Sequence, residues 1–163
     1  MDITIEKQLP RDYERKIEKR FEPWVQAISE EEYISTQTYT SEYGFAVNDY
    51  LRNTNAADEI LDLTLIDEDL AAQWAVSKIV RHIDEALDRA PSLPDEGITV
   101  YRGMRGLQAF DTENLTPGVV YEDYGFLSTS IDYHRARSFL PPEHVRGGYL
   151  ICLLYTSPSP RDS

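Results

Sequence analysis

The segment "GITVYRG", Gly97 to Gly103, marks the point at which the apolar residues of this chain change period. Within it Ile98, Val100 and Arg102 occupy alternate positions, which is the period-2 pattern of a β-strand. Before this segment the apolar residues recur at helical spacing, and after it short extended stretches are separated by glycine and proline. Helices followed by strands, without strand-helix alternation, predict an α+β fold.

The first half of the sequence predicts four helices. The helical spacing and the capping residues place them at residues 11–28, after the capping box "SEEE" at Ser29 to Glu32, around "GFAVNDYLR" with Thr40 or Ser41 as its cap, and over residues 67–90 between Asp67 and Pro91.

The second half predicts strands and one short helix. The stretch "TPGVVYEDYGFLSTS" contains two extended pieces around Glu122 and Asp123, and "GYLIC" is typical of a further strand. Asp132 is placed to cap a short helix that runs to Phe139. The hydroxyl side chains of Ser128 to Ser130 fall on both faces of an extended chain, so either this strand ends in solvent or the hydroxyls are directed at a ligand.

The composition limits the possible partners. The chain of 163 residues has a net charge of −13, with 41% apolar and 28% charged residues, which suits one globular domain and disfavours binding to nucleic acid. Its apolar runs are too short to cross a bilayer and its start lacks an apolar signal region, so we expect no membrane partner and no signal peptide. One cysteine excludes an intrachain disulfide, and three scattered histidines disfavour a metal site.

The last residues, "CLLYTSPSPRDS" from Cys152 to Ser163, differ from the rest of the sequence. Pro158 and Pro160 cannot continue a strand ladder. The string resembles the translation of a sequencing-library adapter, so we expect residues 152–163 to be a non-native tail and residues 1–151 to be a single incomplete domain. A genuine short tail rich in proline and serine is the alternative.

Three stretches, "YTSEYGFAVNDYLR", "ITVYRGM" and "GFLSTS", follow one another in this order. Together they resemble the Arg-Ser-Glu class of mono-ADP-ribosyltransferases, which includes bacterial exotoxins that modify actin or Rho-type GTPases, and phage enzymes of similar pattern. The resemblance implies N-terminal helices packed on a split β-sandwich, with the last strands of that fold missing. It also implies a cleft for NAD and transfer of ADP-ribose from NAD to a side chain of an acceptor protein.

The resemblance assigns NAD contacts to two pairs of residues. Arg102 corresponds to the catalytic arginine of the family and would bind phosphate through its planar fork, while Gly103 would present its backbone to nicotinamide. Asn48 and Arg52 lie four residues apart on one helix face and would contact the ribose-phosphate region and a phosphate. From the residues alone, a strand-end arginine in water or a helix-end arginine that favours the dipole explains the same positions.

The remaining implied contacts lie after the second motif. Ser128 would touch the nicotinamide ribose and hold the catalytic glutamate, and Thr129 and Ser130 would complete the motif and brace the strands. Phe139 would stack on nicotinamide and Arg146 or Arg137 would reach phosphate. From the residues alone, the hydroxyls can equally cap the helix that starts at Asp132, and Phe139 can equally pack into the core.

The family's catalytic glutamate has no counterpart in the printed sequence, because Glu143, in a proline-rich loop, is the only glutamate after Ser130. We therefore expect an NAD-dependent transferase fold that is inactive as printed, or alternatively a non-catalytic module that binds NAD or a protein. No metal is expected. A secreted toxin, an injected effector and a phage-delivered protein all fit the sequence, and the acceptor protein cannot be read from it.

Overall fold

The computed structural model describes residues 11–53, 57–70, 72–93, 97–105, 117–118, 120, 122–142 and 148–155. These residues fall into two compact units. The strand unit comprises the described residues of 1–20, 92–121 and 128–163, and the helical unit comprises those of 21–91 and 122–127. The predicted α+β class is confirmed, because helices are combined with small antiparallel sheets.

The elements of the described chain are, in order, α1 (Arg11–Ala27), α2 (Glu30–Thr40), α3 (Gly44–Arg52), β1 (Ile60–Asp62), a 3-10 turn (Leu63–Leu65), β2 (Gln73–Ala75), α4 (Val76–Asp88), β3 (Ile98–Arg105), α5 (Tyr133–Arg137) and β4 (Gly148–Tyr155). Strand β1 pairs with β2, and β3 pairs with β4, both antiparallel. In this part of the chain no helix is long and apolar enough to span a bilayer.

The helical unit has a core of aliphatic side chains from α2, α3, α4 and the segment around β1. They are Ile34, Val47, Leu61, Leu63, Val76, Ile79, Val80 and Ile83. Full burial of one such side chain stabilises a fold by about 1.5–3 kcal/mol before entropy is counted. Phe126 packs against this core from the segment that precedes the Ser-Thr-Ser motif.

The long helix predicted over residues 67–90 is wrong before Val76. Trp74 lies on β2 opposite Leu61, and the helix begins only at Val76. Asp67 closes a local turn instead, because its carboxylate accepts a hydrogen bond from the Asp69 amide. The side chain that serves the start of α4 is Asp58, which accepts from both the amide and the hydroxyl of Ser77. A cap supplied from 19 residues upstream leaves no local signal in the sequence.

The predicted cap of α3 is also wrong. Thr40 is the last residue of α2, and Ser41 ends that helix by donating its hydroxyl to the Thr38 carbonyl at 2.6 Å. Helix α3 starts at Gly44 without a side-chain cap. Thus "TYTS" closes α2, and the Ser41 hydroxyl also accepts a hydrogen bond from the Tyr43 amide just before α3 at 3.2 Å.

The strand unit is built on the β3–β4 pair, whose register runs from Ile98 opposite Tyr155 to Arg105 opposite Gly148. Among the residues of this unit that the structure describes, the buried apolar side chains are Ile98, Val100, Tyr101 and Ala136. Strand β4 continues beyond the predicted "GYLIC" to Tyr155. The extended pieces predicted around Glu122 and Asp123 form no strand in residues 122–130; only Ser130 pairs, in an isolated antiparallel bridge with Tyr101.

The predicted capping box at the start of α2 is confirmed and extended by an ion pair. The Ser29 amide donates to Glu32 Oε2 at 2.7 Å, and the Glu32 amide donates to the Ser29 hydroxyl at 3.2 Å. The Arg89 guanidinium donates to both oxygens of the same carboxylate, which is almost fully buried. The hydrogen bond from Arg89 and that from the Ser29 amide hold the pKa of Glu32 below its usual value.

We expect Glu32→Gln to lower the free energy of unfolding at neutral pH by about 1–3 kcal/mol, because the charge-assisted bonds from Arg89 are lost while the size is kept. A carboxyl whose pKa is lowered by folding stabilises the protein above its ordinary pKa, and this contribution is lost as the pH falls through the folded value. Urea titrations followed by tryptophan fluorescence should therefore show a difference that shrinks below about pH 4.

The control is Glu31→Gln, an exposed glutamate in the same helical turn, for which we expect little change. An equal loss in both variants, or a Glu32→Gln difference that does not depend on pH, would contradict a special role for the buried carboxylate.

Candidate functional site

Helix α3 places Asn48 against the backbone of Phe126. The Phe126 amide donates to Asn48 Oδ1 at 2.8 Å, and Asn48 Nδ2 donates to the Phe126 carbonyl at 3.3 Å. The Asn48 side-chain amide therefore binds both backbone groups of Phe126, as a residue of a neighbouring β-strand would. Asn48 is only 9% exposed, so these bonds satisfy polar atoms that have little access to water.

Arg52, one turn further along α3, forms a bidentate ion pair with Asp123. Arg52 Nε and Nη2 donate to the two carboxylate oxygens, each at 2.8 Å. This hydrogen-bonded pair is the main cause of the raised pKa of Arg52. The same carboxylate accepts a hydrogen bond from the Gly125 amide at 2.9 Å, and this bond closes a tight Asx turn.

Gly125 lets the segment approach α3 closely. A Cβ at this position would lie 2.8 Å from Asn48 Oδ1 and 3.1 Å from Arg52 Nε and Nη2. From α2, the Tyr39 hydroxyl donates to the Phe126 carbonyl at 2.8 Å, and the two rings meet edge to face. We call Asn48, Arg52, Asp123, Gly125 and Phe126 the α3 clamp.

In the strand unit, Arg102 joins the two sequence motifs. It lies on β3, and its Nη1 donates to the Ser128 carbonyl at 2.7 Å across a separation of 26 residues. Its Nε is sealed from water and has no hydrogen-bond partner among the residues that the structure describes. A buried donor without a partner costs about 1–3 kcal/mol, so a rearrangement that brings an acceptor to Nε would relieve this penalty.

The Ser-Thr-Ser motif has two different local environments. Ser128 and Thr129 are exposed, whereas Ser130 exchanges two backbone hydrogen bonds with Tyr101 at 2.7 and 2.8 Å. The Ser130 hydroxyl accepts a hydrogen bond from the Asp132 amide, and Asp132 caps α5 as predicted. The Ser130 hydroxyl therefore stabilises the turn that leads into α5. The Ser130 backbone, and not its hydroxyl, holds this segment against β3.

Gly103 is where α5 packs onto β3. A Cβ here would overlap the Ala136 carbonyl oxygen and lie 3.3 Å from the Phe139 Cβ. Phe139 follows α5 and its side chain is 57% exposed, so it does not pack into the core. An exposed aromatic ring therefore lies beside a glycine of the first motif.

The structure thus brings Arg102 together with Ser128, and it brings Asn48 and Arg52 together with residues 123–126. Arg146, expected to reach phosphate, lies outside the described residues. Asp123, Gly125 and Tyr39 were not anticipated from the sequence. The Asp-x-Gly spacing of an Asx turn, directly before the stretch "FLSTS", is a signal that could have pointed to the first two.

A family model for the ADP-ribosyltransferase exoenzyme domain matches residues 15–143. The chain belongs to the ADP-ribosyltransferase exoenzyme family. No curated protein and no solved structure matches the chain. The matched range contains most of α1, all of α2 to α5, β3 and every proposed contact residue except Arg146.

ADP-ribosyltransferases of this family take NAD as the donor substrate and a protein as the acceptor. The orphaned Nε of Arg102 and the solvent-facing side chains of Ser128 and Phe139 fit such a ligand, because NAD offers an anionic pyrophosphate, ribose hydroxyls and an aromatic ring. Among the described residues, no group of three or more His, Cys, Asp or Glu side chains is placed to hold a metal ion.

Proposed function

We propose that the chain is a mono-ADP-ribosyltransferase domain that binds NAD and, when a catalytic carboxylate is present, transfers ADP-ribose to a protein side chain. The hydrogen bond between Arg102 and the Ser128 carbonyl carries this proposal, because it unites two motifs that are individually weak. In the reaction the bond between ribose C1′ and the nicotinamide nitrogen breaks, nicotinamide leaves with the electron pair, and the acceptor side chain attacks C1′.

We assign the roles by site. Arg102 binds the pyrophosphate and Ser128 contacts the nicotinamide ribose, so these two are the residues at the reacting end of NAD in this chain. Gly103 and Phe139 contact nicotinamide, and Thr129 and Ser130 hold the motif in place. Asn48 and Arg52 contact the ribose-phosphate region, and Arg146 reaches phosphate.

A second candidate function follows from one observation in the sequence. Glu143 is the only glutamate after Ser130, whereas the transition state of the family's reaction carries positive charge on the ribose and is stabilised by a carboxylate. The chain as printed is then a module that binds NAD with little or no transfer. Binding and turnover, measured on the same preparation, separate the two candidates.

The test of the proposal is Arg102→Lys, which keeps the charge and removes the planar fork. We expect NAD binding to weaken by about 1–3 kcal/mol, or about 5- to 150-fold in Kd, with little change in the melting temperature of the ligand-free protein. Calorimetric titration of NAD and melting curves measure the two quantities. Arg81→Lys, a change at a largely exposed arginine of α4, is the control and should alter neither.

Three outcomes can be told apart. Equal NAD affinity in wild type and Arg102→Lys would remove Arg102 from the site and with it the main support for this function. A fall in stability without NAD would make Arg102 a structural residue. Absence of any NAD binding by the wild-type chain would overturn both candidate functions.

A further inference from the structure

We propose that Asp123 is a positioning residue that orients Arg52 for the pyrophosphate of NAD. This inference rests on the proposed function, but it concerns a residue to which neither the sequence motifs nor the family match assigns a role. It starts from the bidentate pair in the α3 clamp, in which Asp123 binds one edge of the guanidinium.

The pair leaves the other edge of Arg52 available. Its two bonds use Nε and Nη2, and a guanidinium carries five N–H groups in a rigid plane. The outer edge, formed by Nη1 and the second hydrogen of Nη2, therefore points away from Asp123. The Arg52 side chain is 38% exposed and that of Asp123 is 16% exposed, so the arginine and not the carboxylate faces solvent. An anion can approach this outer edge while Asp123 holds the inner one.

The carboxylate is itself fixed in place. The Gly125 amide donates to Asp123 Oδ1, and the next residue, Phe126, is held by Asn48 on both its amide and its carbonyl. Gly125 leaves so little space that Arg52 Nε and Nη2 would lie 3.1 Å from a Cβ there. Arg52 is therefore held on one edge by the anchored carboxylate of Asp123 and restricted on one side by the backbone of Gly125. Its side chain has already lost conformational entropy before an anion binds.

Electrostatics alone predicts the opposite effect of removing Asp123. A negative charge beside the binding edge repels an anion, so its loss should tighten binding if Asp123 had no positioning role. That repulsion acts in solvent and is screened within about 8 Å at 0.15 M salt and about 3 Å at 1 M salt. The ordering of Arg52 by a short bidentate pair is screened much less. The sign of the effect, and its persistence at high salt, therefore separate the two explanations.

The experiment compares NAD affinity of the full chain and its Asp123→Ala variant by calorimetric titration at low and high salt. Immobilising one long side chain costs an amount that corresponds to about two- to tenfold in Kd, so we expect the variant to bind NAD that much more weakly at both salt concentrations. Asp123→Asn keeps the shape and the Gly125 turn but lacks the charge, and we expect an intermediate loss. Melting curves without NAD show whether each variant is folded.

The matched control is Asp49→Ala. Asp49 is exposed on α3 and its charge acts on Arg52, but it forms no ion pair with it among the described contacts. Its removal tests charge without orientation, and we expect NAD binding to be unchanged or slightly tighter at low salt.

A double-mutant cycle gives the readout that a purely structural role would not change. In an Arg52→Ala background, Asp123→Ala should weaken NAD binding no further, because the residue through which it acts is gone. If the second substitution weakens binding equally in both backgrounds, or if Asp123→Ala binds NAD as tightly as wild type or more tightly at both salt concentrations, the inference is wrong. A wild-type chain that does not bind NAD would instead overturn the proposed function, and the wild-type titration alone shows this.

Discussion

Gly103→Val should lower the free energy of unfolding by about 3 kcal/mol or more, the largest stability effect that we expect in this chain. A Cβ at this position overlaps the Ala136 carbonyl oxygen and lies 3.0 Å from its carbonyl carbon. Both atoms belong to the backbone of α5, which cannot rotate away as a side chain can. Helix and strand must therefore separate, and the buried contacts of Val100, Tyr101 and Ala136 loosen with them.

Strand propensity alone predicts the opposite change in stability for Gly103→Val. Valine is favoured over glycine in strands, so a position without close packing would be stabilised by the substitution. Gly103→Ala should already show much of the loss, since the first added carbon makes the overlap. Thr99→Val introduces the same side chain at a half-buried position of the same strand and serves as the control.

Urea unfolding followed by circular dichroism gives the free energies, and amide hydrogen exchange of β3 gives the local effect. Faster exchange over Ile98 to Arg105 in the Gly103 variants, and not in the Thr99 variant, is expected. Unchanged stability in Gly103→Ala would show that α5 can move away from β3 without cost, and the packing explanation for this glycine would then be wrong.

Local patterns in the sequence predicted those parts of the fold that local physics decides. The capping box of Ser29 and Glu32 needs only the spacing of two side chains, and Asp132 caps a helix that starts at the next residue. The start of α4 was missed because it depends on Asp58 and on the pairing of Trp74 with Leu61, two contacts between separate segments. Apolar residues of β2 happen to continue the helical spacing of α4, and periodicity alone does not distinguish the two.

The candidate site divides in the same way. Motif order predicts Arg102, Ser128, Asn48 and Arg52 as site residues, but it carries no information on what each side chain contacts. The partner of Arg52 lies 71 residues away and the partner of Arg102 lies 26 residues away. Asn48, which is predicted to contact NAD, also forms two hydrogen bonds with the backbone of Phe126, and nothing in the sequence indicated these bonds. Such pairings follow from how segments meet in the folded chain, and a single sequence does not encode them as a spacing.

The second large effect that we expect is on the rate of transfer. The chain as printed should transfer ADP-ribose at least about a hundredfold more slowly than a domain with a catalytic carboxylate, because that is the usual cost of losing one preorganised electrostatic partner of the transition state. Asp132 follows the Ser-Thr-Ser motif by two residues, and its Oδ1 accepts hydrogen bonds from the amides of His134 and Arg135 at the start of α5. A cap that is bonded in this way is poorly placed to serve the ribose.

Labelled NAD incubated with the chain and a cell lysate should leave the proteins unlabelled, while the same preparation binds NAD in a calorimeter. The two measurements together matter, because an unfolded preparation would fail both. Glu143 is the one glutamate left to test, and Glu143→Gln is compared with Glu122→Gln, a change at an exposed glutamate before the motif. Labelling by the wild-type chain that Glu143→Gln abolishes and Glu122→Gln leaves intact would identify Glu143 as the catalytic carboxylate and overturn the expected inactivity. Labelling that survives both changes but is lost with Arg102→Lys would place the carboxylate elsewhere in the chain.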